Sequence, residues 1–280
     1  MPSFEVQRLA AFASDGTGGN PAGVVLAETL PTSGQMQGIA AEVGYSETAF
    51  AAPHEDGFRV RYFAPQMEVP FCGHATIALG AALARAHGDA TFKLKLNEAD
   101  ITVRGWREGT QQFAALHSPA TSSAQPSIEL ATAALDMFGY TEDDLDARIP
   151  PALANAGANH LVIGLASREA LANMTYDQAR GQTLMRDAHL ITIALVYAES
   201  NQMFHARNPF AAGGVYEDPA TGAAAAALAG YLRDIRWPHA GAFRISQGVD
   251  MGAPSTIEVR LGETAGESVE VSGAVRTISA

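Results

Sequence analysis

The chain has 280 residues, 47% hydrophobic and 17% charged, which is a globular balance and not that of a disordered chain. Eighteen Lys+Arg against 30 Asp+Glu give a formal net charge of −12, which argues against nucleic acid as a partner because phosphate contacts need a basic patch. One cysteine, Cys72, excludes an intramolecular disulfide and a structural zinc site built from several thiolates.

In chain order, Phe4 to Leu9 alternates apolar and polar residues, the period of a half-buried strand. The stretch Met1 to Leu9 carries Glu5 and Arg8 and has no signal-peptide core. The turn cluster Gly18 to Gly23 leads into a strand at Val24 to Leu26, and Thr32 to Val43 reads as a short helix ending near Gly44. Strands are expected at 48–51 and 58–63. The texture then changes: Gly73 to Ala86 is almost wholly small and apolar, and a helix apolar all round must be buried all round. Strands resume at 91–96, 100–104 and 111–117, which encloses that helix in a sheet.

The second half follows the same plan. Ser118 to Ser127 reads as a linker, 129–138 as a helix, and 161–163, 190–197 and 203–207 as strands. A second helix, apolar all round, is expected from about Pro219 to Leu232, with Asp218 as N-cap. His74-Ala75-Thr76 lies over Pro219-Ala220-Thr221 at an offset of 145, Pro65 over Pro209 at 144, and Gly19-Asn20 over Ala158-Asn159 at 139. These echoes point to a duplication: an α+β chain of two strand-rich lobes, each wrapped around a small-residue helix. The first lobe is expected over 1–117 with a strand near 268–280 returning to it, and the second over 118–267. The most apolar stretch, Ala223 to Leu232, is too short to span a bilayer. With one free thiol, the expectation is a soluble cytoplasmic protein with no membrane partner.

Four residues carry candidate chemistry. Glu47, in apolar company beside Tyr45, Ala49 and Phe50, is a desolvated carboxylate suited to acid/base work, or a loop ion pair. His74 stands at the mouth of the first buried helix, where free amides favour an anion, or is a satisfied core histidine. Cys72 is a helix-mouth thiol fit for a one-thiol epimerase, or a small buried hydrophobe. Glu217 stands opposite it at the 145 offset, so a two-thiol epimerase is excluded. Asp218, opposite Gly73, offers a second carboxylate or a routine helix start. The G-x-S-x-G, H-E-x-x-H, Walker and dinucleotide signatures are absent.

Taken together, Gly19-Asn20-Pro21-Ala22, Gly44-Tyr45-Ser46-Glu47-Thr48-Ala49-Phe50, Arg61-Tyr62-Phe63-Ala64-Pro65, Glu68 to Thr76, Glu217 to Gly222 and Gln247-Gly248 to Pro254-Ser255 resemble the phenazine-biosynthesis isomerase-like (PhzF-like) family nearly end to end. The resemblance implies the diaminopimelate epimerase-like fold: two pseudo-symmetric lobes, each a curved, mostly antiparallel sheet around a central helix. It implies an isomerase in which Glu47 moves a proton between carbons of a small carboxylate-bearing substrate, with His74 and Asp218 in support. Asn20, Ser46, Gly73, Gly222 and Ala223 fall at substrate-binding positions. No metal or organic cofactor is implied, and a homodimer is. Ala223 stands where many members carry serine, and Ala253 where an arginine often precedes Pro-Ser, so a substrate other than the phenazine precursor is expected. A metabolite-binding protein with little turnover is the alternative.

Overall fold

The computed structural model describes residues 4–279. The chain divides into two compact units, one running to His117 and taking back the segment from Ser272, the other Ser118–Val271.

In the first unit β1 (Gln7–Ala13) and β2 (Asn20–Leu26) pair antiparallel. Helix α1 (Ser33–Val43) crosses over so that β3 (Thr48–His54) lies parallel to β2. Thr32 caps α1 in a box with Gln35, and Gly44 ends it at φ 71°, a left-handed conformation natural to glycine. β4 (Gly57–Phe63) returns antiparallel to β3 and pairs at its end with the two-residue β5 (Glu68–Val69). Helix α2 (Gly73–His87) leads to β6 (Ala90–Lys95), parallel to β4, followed antiparallel by β7 (Asp100–Glu108) and β8 (Gln111–His117).

The second unit uses the same pairing order with longer connections. β9 (Ser122–Ala124) and α3 (Ile128–Phe138) come first; β10 (Ala152–Asn155) pairs with β9 and with β11 (Asn159–Leu165). Helices α4 (Arg168–Ala172) and α5 (Gln178–Asp187) take the place of α1 before β12 (Thr192–Ala198), parallel to β11. β13 (Met203–Pro209), β14 (Glu217–Asp218), α6 (Gly222–Asp234), β15 (Ala242–Gln247) and β16 (Ser255–Leu261) then repeat the relations of β4, β5, α2, β6 and β7. β17 (Val269–Thr277) closes the series; its residues Ala274 to Thr277 pair antiparallel with β1.

Two expectations are corrected. Residues 118–127 are not a free linker: β9 sits in the sheet and the Thr121 hydroxyl donates to the Glu267 carbonyl. The second buried helix begins at Gly222, not Pro219, and its N-cap is Thr221; Asp218 belongs to β14. An Asp-Pro pair satisfies a helix start on local grounds, but pairing of Asp218 with Asn208 of β13 wins here.

Every residue of α2 from His74 to Ala84 is buried, enclosed by β1, β2, β3, β6, β7 and β8. Small side chains make that enclosure possible. A Cβ on Gly80 would stand 2.5 Å from Val103 Cγ2, and one on Gly105 would stand 2.1 Å from the Gly80 carbonyl oxygen. Helix and strand touch there backbone to backbone. α6 is buried from Ala224 to Arg233 and packs on β9, β10, β11 and β16. A second core, with Phe138, Leu161, Ile163, Met185, Ile193 and Leu195, joins α3 and α5 to β11 and β12. Gly105→Ala forces the Gly80 contact apart and should cost ~3 kcal/mol. Gly38→Ala, on the exposed side of α1 with no atom near its Cβ position, should instead stabilise by about 0.5–1 kcal/mol. Urea unfolding of the two variants checks the contrast.

His160 on β11 is fully buried. Its Nδ1 lies 2.7 Å from the Thr192 hydroxyl, which donates onward to Asn208 Oδ1, while Nε2 has no hydrogen-bond partner. Protonating that nitrogen would bury a charge, so burial pushes the imidazole pKa down to about 4. The unfolded chain takes up this proton below the ordinary 6.5 and the folded chain does not, so stability is complete above that value and is lost as pH falls from 6.5 toward 4. Between pH 7 and pH 5 the loss should be about 2 kcal/mol. His160→Asn should flatten that slope in unfolding measured at both pH values; an unchanged slope refutes the assignment.

Candidate active site

The first site forms where β2, β3 and the mouth of α2 meet. The carbonyl of Glu47 accepts from the Gly23 amide at 3.2 Å, which fixes the residue at the entry to β3. At the other side the chain turns into α2 through Cys72, the N-cap, whose side chain makes no capping bond. The Cys72 carbonyl is held twice, by the Thr76 amide at 3.0 Å and the Thr76 hydroxyl at 2.7 Å. Thr76 in turn accepts from the buried Tyr62 hydroxyl at 2.6 Å. Burial pushes the Tyr62 phenol well above its ordinary range, so it stays a neutral donor.

The buried thiol faces Glu47 and His74. Cys72 Sγ donates to Glu47 Oε2 at 3.4 Å and lies 3.4 Å from His74 Nδ1. His74 Nε2 is 3.4 Å from Glu47 Oε2 and 3.2 Å from the Ser46 hydroxyl. Cys72 and His74 are buried and Glu47 is partly so, with 18% of its side chain exposed. A Cβ on Gly73 would meet no protein atom within 4 Å, so there is open space above the first turn of α2. The first-turn amides of a helix have no intrahelical acceptor and favour an anion. A carboxylate, an imidazole, a thiol and first-turn amides therefore lie around one small space.

Glu47, Ser46, Gly73 and His74 thus come together, with Cys72 as a further member. The surroundings of Glu47 differ from the expected apolar bulk: Phe50 packs with Val25, Met36, Ala40 and Phe63 instead, and thiol and imidazole contact the carboxylate. Strand alternation explains this, since Phe50 continues into β3 while Glu47 precedes it. Asn20 opens β2, buried opposite Ala11 of β1.

The second unit has its own helix mouth. Asp218 accepts from the Thr221 hydroxyl at 2.6 Å. Gln247, buried at the end of β15, donates to the Asp218 carbonyl at 2.7 Å and to Thr221 Oγ1 at 3.0 Å, and accepts from the Thr221 amide at 3.2 Å. Gly248, at φ 75°, brings its backbone so close that a Cβ would stand 2.7 Å from the Pro219 carbonyl. Gly222 and Ala223, half-buried, form the first turn of α6.

Both mouths are clamped by an arginine–glutamate fork that sequence reasoning passed over. Arg61 on β4 donates through Nε and Nη2 to Glu68 on β5, at 2.8 and 2.5 Å. Arg207 on β13 grips Glu217 on β14 in the same way and also donates to the carbonyls of Ala172 and Met174. Phe63 pairs with Glu68 and Pro209 with Glu217. The repeat at the mouths is therefore Glu68-Val69-Pro70-Phe71-Cys72-Gly73 over Glu217-Asp218-Pro219-Ala220-Thr221-Gly222, an offset of 149 and not 145. Cys72 answers to Thr221, His74 to Ala223 and Asp218 to Val69. Glu-x-Pro-x-x-Gly, present twice, was the signal that could have shown it.

These motifs find their match among known proteins. Residues 9–280 fit the sequence profile of the phenazine biosynthesis-like protein family. The chain belongs to that family. Relatives include the trans-2,3-dihydro-3-hydroxyanthranilate isomerase of Pseudomonas aeruginosa, 32% identical over 280 residues and covering 94% of this chain and 93% of that protein. An uncharacterized isomerase of Deinococcus radiodurans is 33% identical, over 96% and 90%. Among solved structures, a Bacillus anthracis phenazine biosynthesis protein of the PhzF family superposes at TM-score 0.86 over 100% of this chain and 98% of its own, at 21% identity. A probable proline racemase of Agrobacterium radiobacter shares the fold at TM-score 0.65 and 10% identity, over 99% and 91%. The family member described here is an enzyme with isomerase chemistry. No helix among the described residues is long and apolar enough to cross a membrane.

The two forks differ in burial, and their disruption should differ likewise. Arg207 and Glu217 have side chains only 8% and 3% exposed, whereas Arg61 and Glu68 are 20% and 27% exposed. Glu217→Gln leaves a buried guanidinium short of its counter-charge and should cost ~3–5 kcal/mol. Glu68→Gln should cost about 1 kcal/mol or less. Denaturant unfolding of both variants measures the difference.

Proposed function

We propose that Glu47 is the acid/base group of this isomerase and moves a proton between two carbons of a small carboxylate-bearing metabolite. The observation that carries the reading is the Glu47 carboxylate lying 3.4 Å from His74 Nε2 beside the open first turn of α2. In this reading the substrate carboxylate rests on the first-turn amides of α2 and on His74. Those donors stabilise the charge that develops as the proton leaves carbon. Glu47 takes the proton and returns it to a different carbon of the same conjugated system, so no atom is gained or lost. Ser46 holds the imidazole; in the second unit, Asp218 and the Gly222 amide are the acid/base and binding groups at the mouth of α6. The two compact units would be the two lobes of the enzyme, working as a homodimer in the cytoplasm.

The reaction named for the Pseudomonas aeruginosa relative gives the nearest chemical analogy, an isomerisation of a dihydro-hydroxyanthranilate. Ala223 offers no hydroxyl in the first turn of α6, and this supports a substrate with one polar group fewer at that point. The α2 mouth, with Glu47 and His74, supports the same proton chemistry.

A second reading is favoured by the thiol at 3.4 Å from Glu47 Oε2: Cys72 itself carries the proton. Reaction in deuterated water, followed by NMR at the substrate carbon, separates the two. Glu47→Gln keeps size and hydrogen bonding but removes the base, so turnover and label uptake should fall by about 10²–10⁴-fold while ligand binding persists. Cys72→Ala should keep most of the turnover. A folded Cys72→Ala that loses a thousandfold, beside a Glu47→Gln that exchanges at the parent rate, transfers the role to the thiol.

A further inference from the structure

A carboxylate, a thiol and an imidazole held this close have a chemistry that proton transfer leaves unused. We propose that Glu47, Cys72 and His74 form a three-ligand site for a zinc ion, and that zinc bound there shuts the isomerase off. The donor set is the first argument. Thiolate and imidazole select zinc over magnesium or calcium, and a carboxylate completes a common mixed set.

Geometry is the second argument. The candidate ligand atoms all lie within 4.8 Å of one another. Zinc holds sulfur at about 2.3 Å, nitrogen at about 2.0–2.1 Å and carboxylate oxygen at about 2.0–2.2 Å, so tetrahedral angles put the donors roughly 3.4–3.6 Å apart. The structure has Sγ–Oε2 at 3.4 Å, Oε2–Nε2 at 3.4 Å and Sγ–Nε2 at 3.9 Å. Nδ1 stands nearer to Sγ, at 3.4 Å, so the imidazole must turn to aim its Nε2 lone pair at the common centre. Three protein ligands leave a fourth position for water or a substrate oxygen, the pattern of an open zinc site. Ser46 Oγ, 3.2 Å from Nε2, would give up that contact when the nitrogen takes a metal.

Preorganisation and charge are the third. Tyr62 and Thr76 hold the Cys72 carbonyl, and α2 carries His74, so the backbones of two ligands are fixed before metal arrives. A helix N-terminus opposes a lone cation but favours a thiolate. Zinc(II) with one thiolate and one carboxylate is neutral overall, so the helix end has no net charge to repel. Binding is balanced as Cys72–SH plus Zn²⁺ giving Cys72–S–Zn⁺ plus a proton released to solvent. The metal then occupies the Glu47 lone pair that would accept a proton from carbon. The inhibitory half rests on the proton-transfer reading; the binding half does not.

The test uses the full chain, stripped with chelator and kept reduced. Calorimetric titration with Zn²⁺ should show one ion per chain with Kd below about 1 μM, and Co²⁺ should give a thiolate-to-cobalt charge-transfer band. Cys72→Ala should weaken zinc at least about 100-fold and abolish the band. Glu47→Gln, which leaves the helix cap untouched, should weaken zinc at least about tenfold and keep the band. Parent binding no tighter than about 100 μM, a cobalt complex without the band, or parent affinity in Glu47→Gln overturns the site. If Cys72→Ala fails to fold, the band and Glu47→Gln still decide. Micromolar zinc should stop turnover, and chelator should restore it. Zinc that binds tightly yet leaves turnover unchanged overturns the inhibitory half and counts against Glu47 as proton carrier. No binding removes the zinc site alone, and label uptake in deuterated water then judges the proton reading by itself.

Discussion

A helix enclosed on every side can meet a ligand only through its ends. In α2 this enclosure is set by the contact of Gly105 with the Gly80 carbonyl, which admits no side chain. β7 and β8 lie close enough for backbone and methyl groups of Val103, Gly105 and Ala114 to fill the gap. The helix axis is thereby fixed, and so is the place where its free amides emerge. Glu47 and His74 acquire their spacing from that frame, since one is anchored to β2 through Gly23 and the other rides on the first turn of α2.

The second unit has the same frame with other chemistry at its mouth. Both mouths have an arginine on a long strand gripping a glutamate on a two-residue strand, then proline, then the glycine that opens the helix. What differs is the cap. The Cys72 thiol faces Glu47, and Thr76 satisfies the cap carbonyl. Thr221 is engaged by Asp218 and Gln247. One architecture thus carries a carboxylate–thiol–imidazole cluster in one copy and a hydroxyl–amide–carboxylate cluster in the other.

Much of this was legible in the residues. The small-residue runs announced two buried helices, because only a helix surrounded by protein tolerates an apolar surface all round. Thr32 and Gly44 marked both ends of α1 by capping chemistry that needs no tertiary context. The resemblance put Glu47, His74 and Asp218 forward, and the fold brings Glu47 and His74 together. What stayed hidden depended on pairing between distant segments. Asp218 looked like a helix cap because its hydrogen bonding to Thr221 is local, whereas its strand pairing with Asn208 is not. β9 looked like a linker because two serines and an alanine make a strand too short to have a period to read. The steady offset of the repeat was misjudged because the loops between strands lengthen along the second copy, so alignment drifts from 139 at β2 and β11 to 149 at the helix mouths.

The return of β17 to β1 bears on the order in which the protein can be assembled. Leu9 pairs with Thr277, and Arg276 reaches back 258 residues to the carbonyl of Gly18. The whole second unit is threaded between these partners. As the chain emerges from the ribosome, β1 and β2 can pair at once, but the other flank of β1 must wait until every residue of the second unit has been made. An open strand edge is a template for wrong partners. The nascent first unit therefore spends most of translation as an incomplete sheet, and the second unit, contiguous in sequence, is the part that can finish first.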